Sequence, residues 1–448
     1  MNNQIEEIIS NRKSKIVKFG LIVAVVISII GLLIDLRNTL TYPGTDLRNR
    51  VVGARLMLEG IDPYFFKWQP GLSERFYDPL DIPTELLSKL SVPPTVLALH
   101  SVIAQLSYLQ QKLIWLIVQW AALIGTVFIF IKSSNSRPKT NLTIAISFLF
   151  VNSLFWRFHV NSGQIYIVYV FLLAMSWFLL NQLSKYNNLL SGFLVGVTTS
   201  FRPTFILFFL PFVISQKYSF LIGGFLGLLF SISLSCTVAG IFIWKKYLLS
   251  MLGMTGIIDL NTYLPVRERI KPAADIVYPK TIEGFDPAIR NPLEYYLDNT
   301  SLYDVLNALD IPNKRNILAF GFIITMIFLC VWIYKYFSKT QNINHLFLLG
   351  NLICLIGDFF IPVGRYSYYD IQMLLPLLII INQMDIKYLT DYKSTVVIIS
   401  GLLLSVVGFL VIPRALFFSV FIIMSYIIYI SMFVTVQDNK AKRESWQV

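Results

Sequence analysis

The chain has 448 residues, of which 56% are hydrophobic, 15% aromatic and only 14% charged, and its mean hydropathy is positive. That balance excludes a soluble globular domain, whose charged share is about 25%. The formal net charge of +12 is spread over many short segments, which speaks against nucleic-acid binding and reads instead as an orientation signal.

A membrane-crossing helix needs about 20 apolar residues. Twelve such stretches are predicted, at 17–36, 113–132, 140–158, 164–182, 188–201, 203–215, 219–243, 317–337, 345–362, 369–385, 394–412 and 415–435. The first is long and is followed by charged and aromatic residues, so it is expected to be an uncleaved helix rather than a signal peptide. A further run, Pro93 to Leu109, carries Pro93-Pro94, His100 and Gln105 and is expected to be re-entrant or interfacial. Cys236, Cys330 and Cys354 lie in or beside apolar runs with no metal-ligand spacing and read as core residues.

With the amino terminus inside, the inner segments hold sixteen basic and six acidic residues, or +10 of the formal +12. The positive-inside rule thus places both termini in the cytoplasm. The predicted organisation is a cytoplasmic segment 1–16, a membrane module 17–243 with an outer loop 37–112, an outer loop 244–316, carboxy-terminal helices 317–435 and a cytoplasmic tail 436–448. The loop from Lys245 to Asn316 balances nine basic against nine acidic residues and is rich in tyrosine, including Tyr263, Tyr278, Tyr295, Tyr296 and Tyr303. A lid or saccharide-binding surface and a stabilising cap are equally compatible with it.

On this topology the unusual polar residues gather on the outer side. Asp46, held by Pro43-Gly44 just after the first helix, is an acid at a membrane edge, where a carboxylate needs water or a partner. Arg48 and Arg50 are potential salt-bridge partners, and the repeat of Asp35-Leu-Arg-Asn38 as Asp46-Leu-Arg-Asn49 makes Asp35 a rival acid. Arg157, His159 and Gln164 occupy one outer turn. Arg202 lies before Pro203, between runs too short to cross on their own, and is expected to sit in a protein-lined cavity. Arg365, Tyr366, Tyr368 and Asp370 form a late outer turn. Each of these arginines and tyrosines is also compatible with simple interfacial anchoring. Together, guanidinium groups that hold phosphate in bidentate fashion and one acid suited to proton abstraction fit a phosphorylated lipid substrate and a hydroxyl acceptor.

The order of these residues resembles glycosyltransferase family 87. Asp46, Ala54-Arg55, Leu58-Glu-Gly60 and Asp62-Pro-Tyr64 are similar to that family's first outer loop. Tyr77-Asp-Pro-Leu80 with Pro93-Pro94, Gly163-Gln164, Gly192 to Pro203 and Arg365 to Pro376 follow in the family's order, so the resemblance covers residues from about 30 to 380. It implies an all-α polytopic membrane protein of the GT-C fold, with about twelve transmembrane helices, in the bacterial inner (plasma) membrane and with an active site facing the periplasm. It further implies a transferase that moves a sugar, often mannose, from a polyprenyl-phosphate donor to a lipid or glycan acceptor. Asp46 would be the catalytic base and Arg48, His159, Gln164, Arg202, Arg365, Tyr366 and Tyr368 the substrate-binding set. No cofactor is expected, and a divalent metal is left open. The late turn departs from the family, which often has Trp and His before the Tyr. Arg365 is the expected replacement at the leaving phosphate. A lipid-linked glycan flippase and a glycan ligase or polymerase are the rival readings; a flippase would carry charges near the bilayer midplane, whereas here they gather at one face.

Overall fold

The computed structural model describes residues 2–82, 85–182, 184–263, 300–338, 342–362, 365–384, 392–412 and 414–434, together with positions 283, 286, 289, 291 and 292. Tyr278, Tyr295, Tyr296 and the tail 436–448 lie outside the described residues. Among the described residues the protein is all-helical, without a strand.

Each of the twelve predicted stretches carries helix, but five helices are long and apolar enough to cross a membrane, or six if a bent pair counts as one span. These are Phe19–Thr41 within α1 (Asn2–Thr41), α4 (Tyr108–Ser133), α10 (Tyr218–Ala239), α14 (Lys314–Phe337) and Ala415–Met432. The count falls short of twelve because the chain breaks its own helices. Stretch 140–158 is divided into α5 (Arg137–Val151) and α6 (Leu154–Asn161), which meet at 56°. Stretch 203–215 is a 3₁₀ segment, Pro203–Phe209, followed by the five-residue α9 (Leu210–Ile214). Stretch 369–385 begins as 3₁₀, Ser367–Met373, before α16 (Leu374–Gln383). Prolines 203, 211 and 376 fall at the first helical positions or just inside, where a missing N–H is tolerated.

Burial separates an inner set of helices from an outer one. Residues 374–381 of α16 are all buried, and α7 (Tyr166–Leu180) and α15 (Ile343–Phe359) pack around it. By contrast, α1, α10 and α14 turn rows of large apolar side chains outward, such as Phe320, Ile323, Ile327 and Val331. Contiguous exposed apolar faces on long helices are what a bilayer requires of an integral membrane protein.

The run Pro93 to Leu109 contains only α3 (Pro94–Ser101), eight residues long. At 1.5 Å per residue α3 spans about 12 Å, too little for a crossing, in keeping with the re-entrant or interfacial expectation.

The closest helix pair is α8 (Asn187–Phe201) with α10. Gly192 and Gly196 on one helix face Gly223 and Gly227 on the other. A Cβ at Gly196 would lie 2.0 Å from the Gly224 carbonyl oxygen, and one at Gly227 would lie 2.0 Å from that of Phe193. Small residues four apart on both partners let the backbones touch, the association mode favoured where no hydrophobic effect drives helices together. This contact fixes the end of α8, where Arg202 caps the helix. Replacing Gly196 with leucine is expected to cost about 3 kcal/mol by overpacking and to lower the thermal unfolding midpoint of the detergent-solubilised protein; an unchanged midpoint would show that the helices do not meet at this position.

Candidate active site

Helix α2 (Thr45–Leu58) begins at Gly44, whose φ of +70° suits glycine. The preceding turn is pinned from α4, where the Tyr108 hydroxyl donates to the Pro43 carbonyl at 2.6 Å and Lys112 Nζ to the Tyr42 carbonyl at 3.1 Å. Two of the first N–H groups of α2, those of Asp46 and Leu47, donate to the Ser162 carbonyl, each at 3.0 Å. The partner turn needs glycine: Gly163 has φ +69°, and a Cβ there would lie 2.5 Å from the Leu47 Cβ.

These contacts set Gln164 against the first turn of α2. Its side-chain N–H donates to Asp46, while its Oε1 accepts from Arg50, one helical turn further along. Arg50 also donates to the Gly163 carbonyl at 2.7 Å. The amide therefore stands between an acid and a guanidinium that would otherwise form an i, i+4 ion pair. Among the described residues Asp46 has no direct ion pair, and Tyr368 lies within electrostatic reach of it. The backbone of Gln164 is itself fixed, because its carbonyl accepts from Trp115 Nε1 at 3.1 Å and Gln119 Nε2 at 2.8 Å. Burial pushes the Asp46 carboxyl above its ordinary value of 3.8, opposed by Arg50, Lys89 and the Gln164 hydrogen bond.

Tyr368 leads to the arginines. Its ring lies 5.1 Å from Tyr369 and 6.2 Å from Tyr166. Arg202 is held between the rings of Tyr166 and Tyr369, 4.9 Å from each centroid. Its Nη2 donates to Asp358 at 2.8 Å and its Nε to Thr204 at 3.1 Å, while Nη1 has no partner among the described residues. Arg365 pairs with Asp370 at 2.5 Å, donates to Thr300 at 2.7 Å and lies 5.8 Å from the same Tyr369 ring. Tyr366, 42% exposed, is the one tyrosine of this group open to solvent, at 5.5 Å from Tyr368.

Of the residues singled out from the sequence, the structure thus joins Asp46, Gln164, Arg202, Arg365, Tyr366 and Tyr368 into one connected set. Arg48 and His159 are engaged elsewhere. Arg48 is fully buried, gives Nε and Nη2 to the Tyr77 carbonyl at 3.2 and 2.7 Å, and gives Nη1 to Glu283 at 2.6 Å. His159 is fully buried, accepts from the Ile167 N–H at 3.1 Å and stacks on Trp156. Tyr166, Tyr369 and Asp358 were not singled out. Only Asp358 leaves a readable signal, as an acid inside an apolar stretch.

The rival acid, Asp35, is consumed. It is fully buried, accepts from Trp156 Nε1 at 2.8 Å and Trp120 Nε1 at 3.1 Å, and is ion-paired with Arg157.

Residues 92–267 match the family model described as glycosyltransferase family 87. The family suggested by the sequence is borne out. The match spans 176 of the 448 residues and supports a membrane glycosyltransferase. No curated protein and no solved structure matches it. The family 87 match contains Gln164 and Arg202, whereas Asp46 and the Arg365–Asp370 turn lie outside it; what ties these to the matched region is the geometry above.

The two aspartates are separable by stability. Asp35→Asn breaks a buried ion pair and is expected to cost about 3–5 kcal/mol, whereas Asp46→Asn, without an ion pair to break, is expected to leave the unfolding midpoint nearly unchanged. Equal losses would make Asp46 a structural residue.

Proposed function

We propose that the protein transfers a hexosyl group, mannose in the first instance, from a polyprenyl-phosphate-linked donor to a lipid or glycan acceptor at the periplasmic face of the bacterial plasma membrane. The observation that carries this reading is the state of Asp46: an acid held by an amide, with Tyr368 in electrostatic reach, without an ion pair among the described residues, and with its pKa raised by burial. A carboxylate so held is oriented yet still basic, as a general base near neutral pH needs to be.

In this mechanism Asp46 takes the proton of the acceptor hydroxyl as its oxygen attacks the anomeric carbon from the face opposite the phosphate. The bond from carbon to the phosphate oxygen breaks, its electron pair leaves with the polyprenyl phosphate, and the anomeric configuration inverts. One acid suffices, because phosphate departs without protonation. Arg202 has the better claim on that phosphate, since its Nη1 is without a partner among the described residues and the two flanking tyrosines fix its plane. Its pairing with Asp358 offsets part of the charge, so the contact works mainly as an oriented hydrogen bond. Arg365, engaged by Asp370 and Thr300, steadies Tyr369 and the late turn. Tyr366 and Tyr368 are placed to hold sugar hydroxyls, and Gln164 keeps the base in position.

Asp46→Asn is expected to lower transfer from polyprenyl-phosphate mannose by about 10²–10⁴-fold in a protein that still folds; label transfer that survives the substitution sinks the assignment. The pH profile supplies a second check. The base works only when deprotonated, so kcat/KM should fall as pH drops through a pKa above the ordinary 3.8. Gln164→Ala removes the amide that keeps Arg50 from Asp46, so the ion pair can form and the acidic limb of that profile should move to lower pH. A limb that stays in place or moves up contradicts the role given to Gln164.

A further inference from the structure

The two arginines beside the tyrosine frame are each matched by a buried acid. Arg202 meets Asp358 at 2.8 Å and Arg365 meets Asp370 at 2.5 Å, and Arg365 lies near the Tyr369 ring that also flanks Arg202. Asp358 and Asp370 are 3% and 0% exposed and lie within electrostatic reach of each other. Two guanidinium groups and two carboxylates therefore sum to no net charge at the end of the site assigned to the departing phosphate. A site built to hold phosphate as tightly as possible would leave its cations unbalanced.

Helix stability does not explain Asp358. It sits in the last turn of α15, at the negative end of the helix dipole, where a carboxylate is disfavoured. Arg202 is what holds it there. Close backbone contact brings α15 against the 3₁₀ segment that follows Arg202, since a Cβ at Gly350 would lie 2.7 Å from the Phe208 carbonyl oxygen. The pairing itself uses one oxygen and one nitrogen, and Asp358 Oδ1 and Arg202 Nη1 have no partner among the described residues. The acid thus cancels the arginine's charge while sparing one of its donors. The two-pronged pairing common between arginine and carboxylate would have used that donor up.

The consequence follows from how charge moves in the transfer. The donor is a phosphodiester with one negative charge. When the bond from the anomeric carbon to oxygen breaks, its electron pair turns the phosphate into a monoester with close to two charges, and the acceptor's proton neutralises Asp46. Once Asp46 passes that proton to solvent, its restored charge and the dianion face two arginines that are already balanced. We propose that Asp358, acting through Arg202, sets the phosphate end of the site to zero net charge, so that it holds the singly charged donor lipid and releases the doubly charged spent lipid. Asp358 is a positioning residue in this scheme and does not touch the reacting atoms. The assignment rests on the phosphate-linked donor proposed above and adds a product-release step to that reaction.

The test compares two lipids of equal chain length, dodecyl methyl phosphate and dodecyl phosphate, at about pH 8, where they carry one and close to two charges. Equilibrium binding of each to the full-length protein in detergent is measured for the wild type, Asp358→Asn, Asp358→Glu and Asp370→Asn. The wild type is expected to bind the monoester no more tightly than the diester. Asp358→Asn should tighten the diester about five-fold and the monoester about thirty-fold, because the second ligand charge doubles the effect on a logarithmic scale. Asp358→Glu keeps the charge and should stay near the wild type. Asp370→Asn should repeat the selective gain, which covers the case of an Asp358→Asn protein that does not fold. A wild type that prefers the monoester overturns the proposal, as does a charge-removing variant that tightens both lipids equally or neither. If a wild type with that preference still transfers mannose from the polyprenyl-phosphate donor, the charge role falls alone. A wild type that binds neither lipid also overturns the proposal, and if it transfers no sugar the donor reading falls with it.

Discussion

Three arginines on one buried helix constrain everything around them. Helix α2 carries Arg48, Arg50 and Arg55 into the interior, and its only acid is Asp46. Buried guanidinium groups must find acceptors, and here they find backbone carbonyls. Arg48 takes Tyr77, Arg50 takes Gly163, and Arg55 takes Arg75 at 3.0 Å and Ala104 at 2.9 Å. Glu283 supplies a shared carboxylate to Arg48 and Arg55 at 2.6 and 2.8 Å. Because the cations are tied to main chain and to Glu283, none of them neutralises Asp46. The helix is clamped from several directions, and the acid at its start is held in place while remaining chemically available.

The second fixed point is the glycine contact of α8 with α10. It allows no side chain between the backbones, so the end of α8 is set by main-chain geometry. Arg202 emerges there and enters the slot between Tyr166 and Tyr369. Tyr369 lies next to Tyr368, which reaches Asp46. Acid and guanidinium are thus connected through an aromatic frame, each anchored by a different piece of rigid backbone. A reaction that separates charge between a nucleophile and a leaving group needs such spacing kept constant.

Much of this was legible in the sequence, in particular places. Each of the twelve stretches marked by hydropathy carries helix, because apolar runs must be helical in a bilayer, whereas the charged α2 was not marked. Run length does not reveal the 3₁₀ turns at Pro203 and Ser367 or the bend after Val151. Asp46, Gln164 and Arg202 were visible as polar groups at costly positions. The engagement of Arg48 was not, because its partners lie 29 and 235 residues away and no local pattern marks a carbonyl as an acceptor. His159 likewise looked like a ligand-facing residue in a turn, but α6 rotates it inward onto Trp156. The frame of Tyr166 and Tyr369 was hidden among many aromatic residues, where composition gives no means of choosing.

The repeated tetrapeptide shows how far context rather than residue type sets a role. Asp35-Leu-Arg-Asn and Asp46-Leu-Arg-Asn have the same letters and opposite outcomes. In the first, the acid faces inward from a long helix onto two indole N–H groups and Arg157, while Arg37 points out. In the second, the helix starts at the acid, so its leading N–H groups engage Ser162, the arginine turns inward to Tyr77, and a glutamine separates the acid from the nearest cation. A carboxylate occupied by three strong donors leaves no room for a substrate. One held by an amide does, and the placement of Gly44 and Gly163, which lets the Gln164 turn approach α2, accounts for that difference.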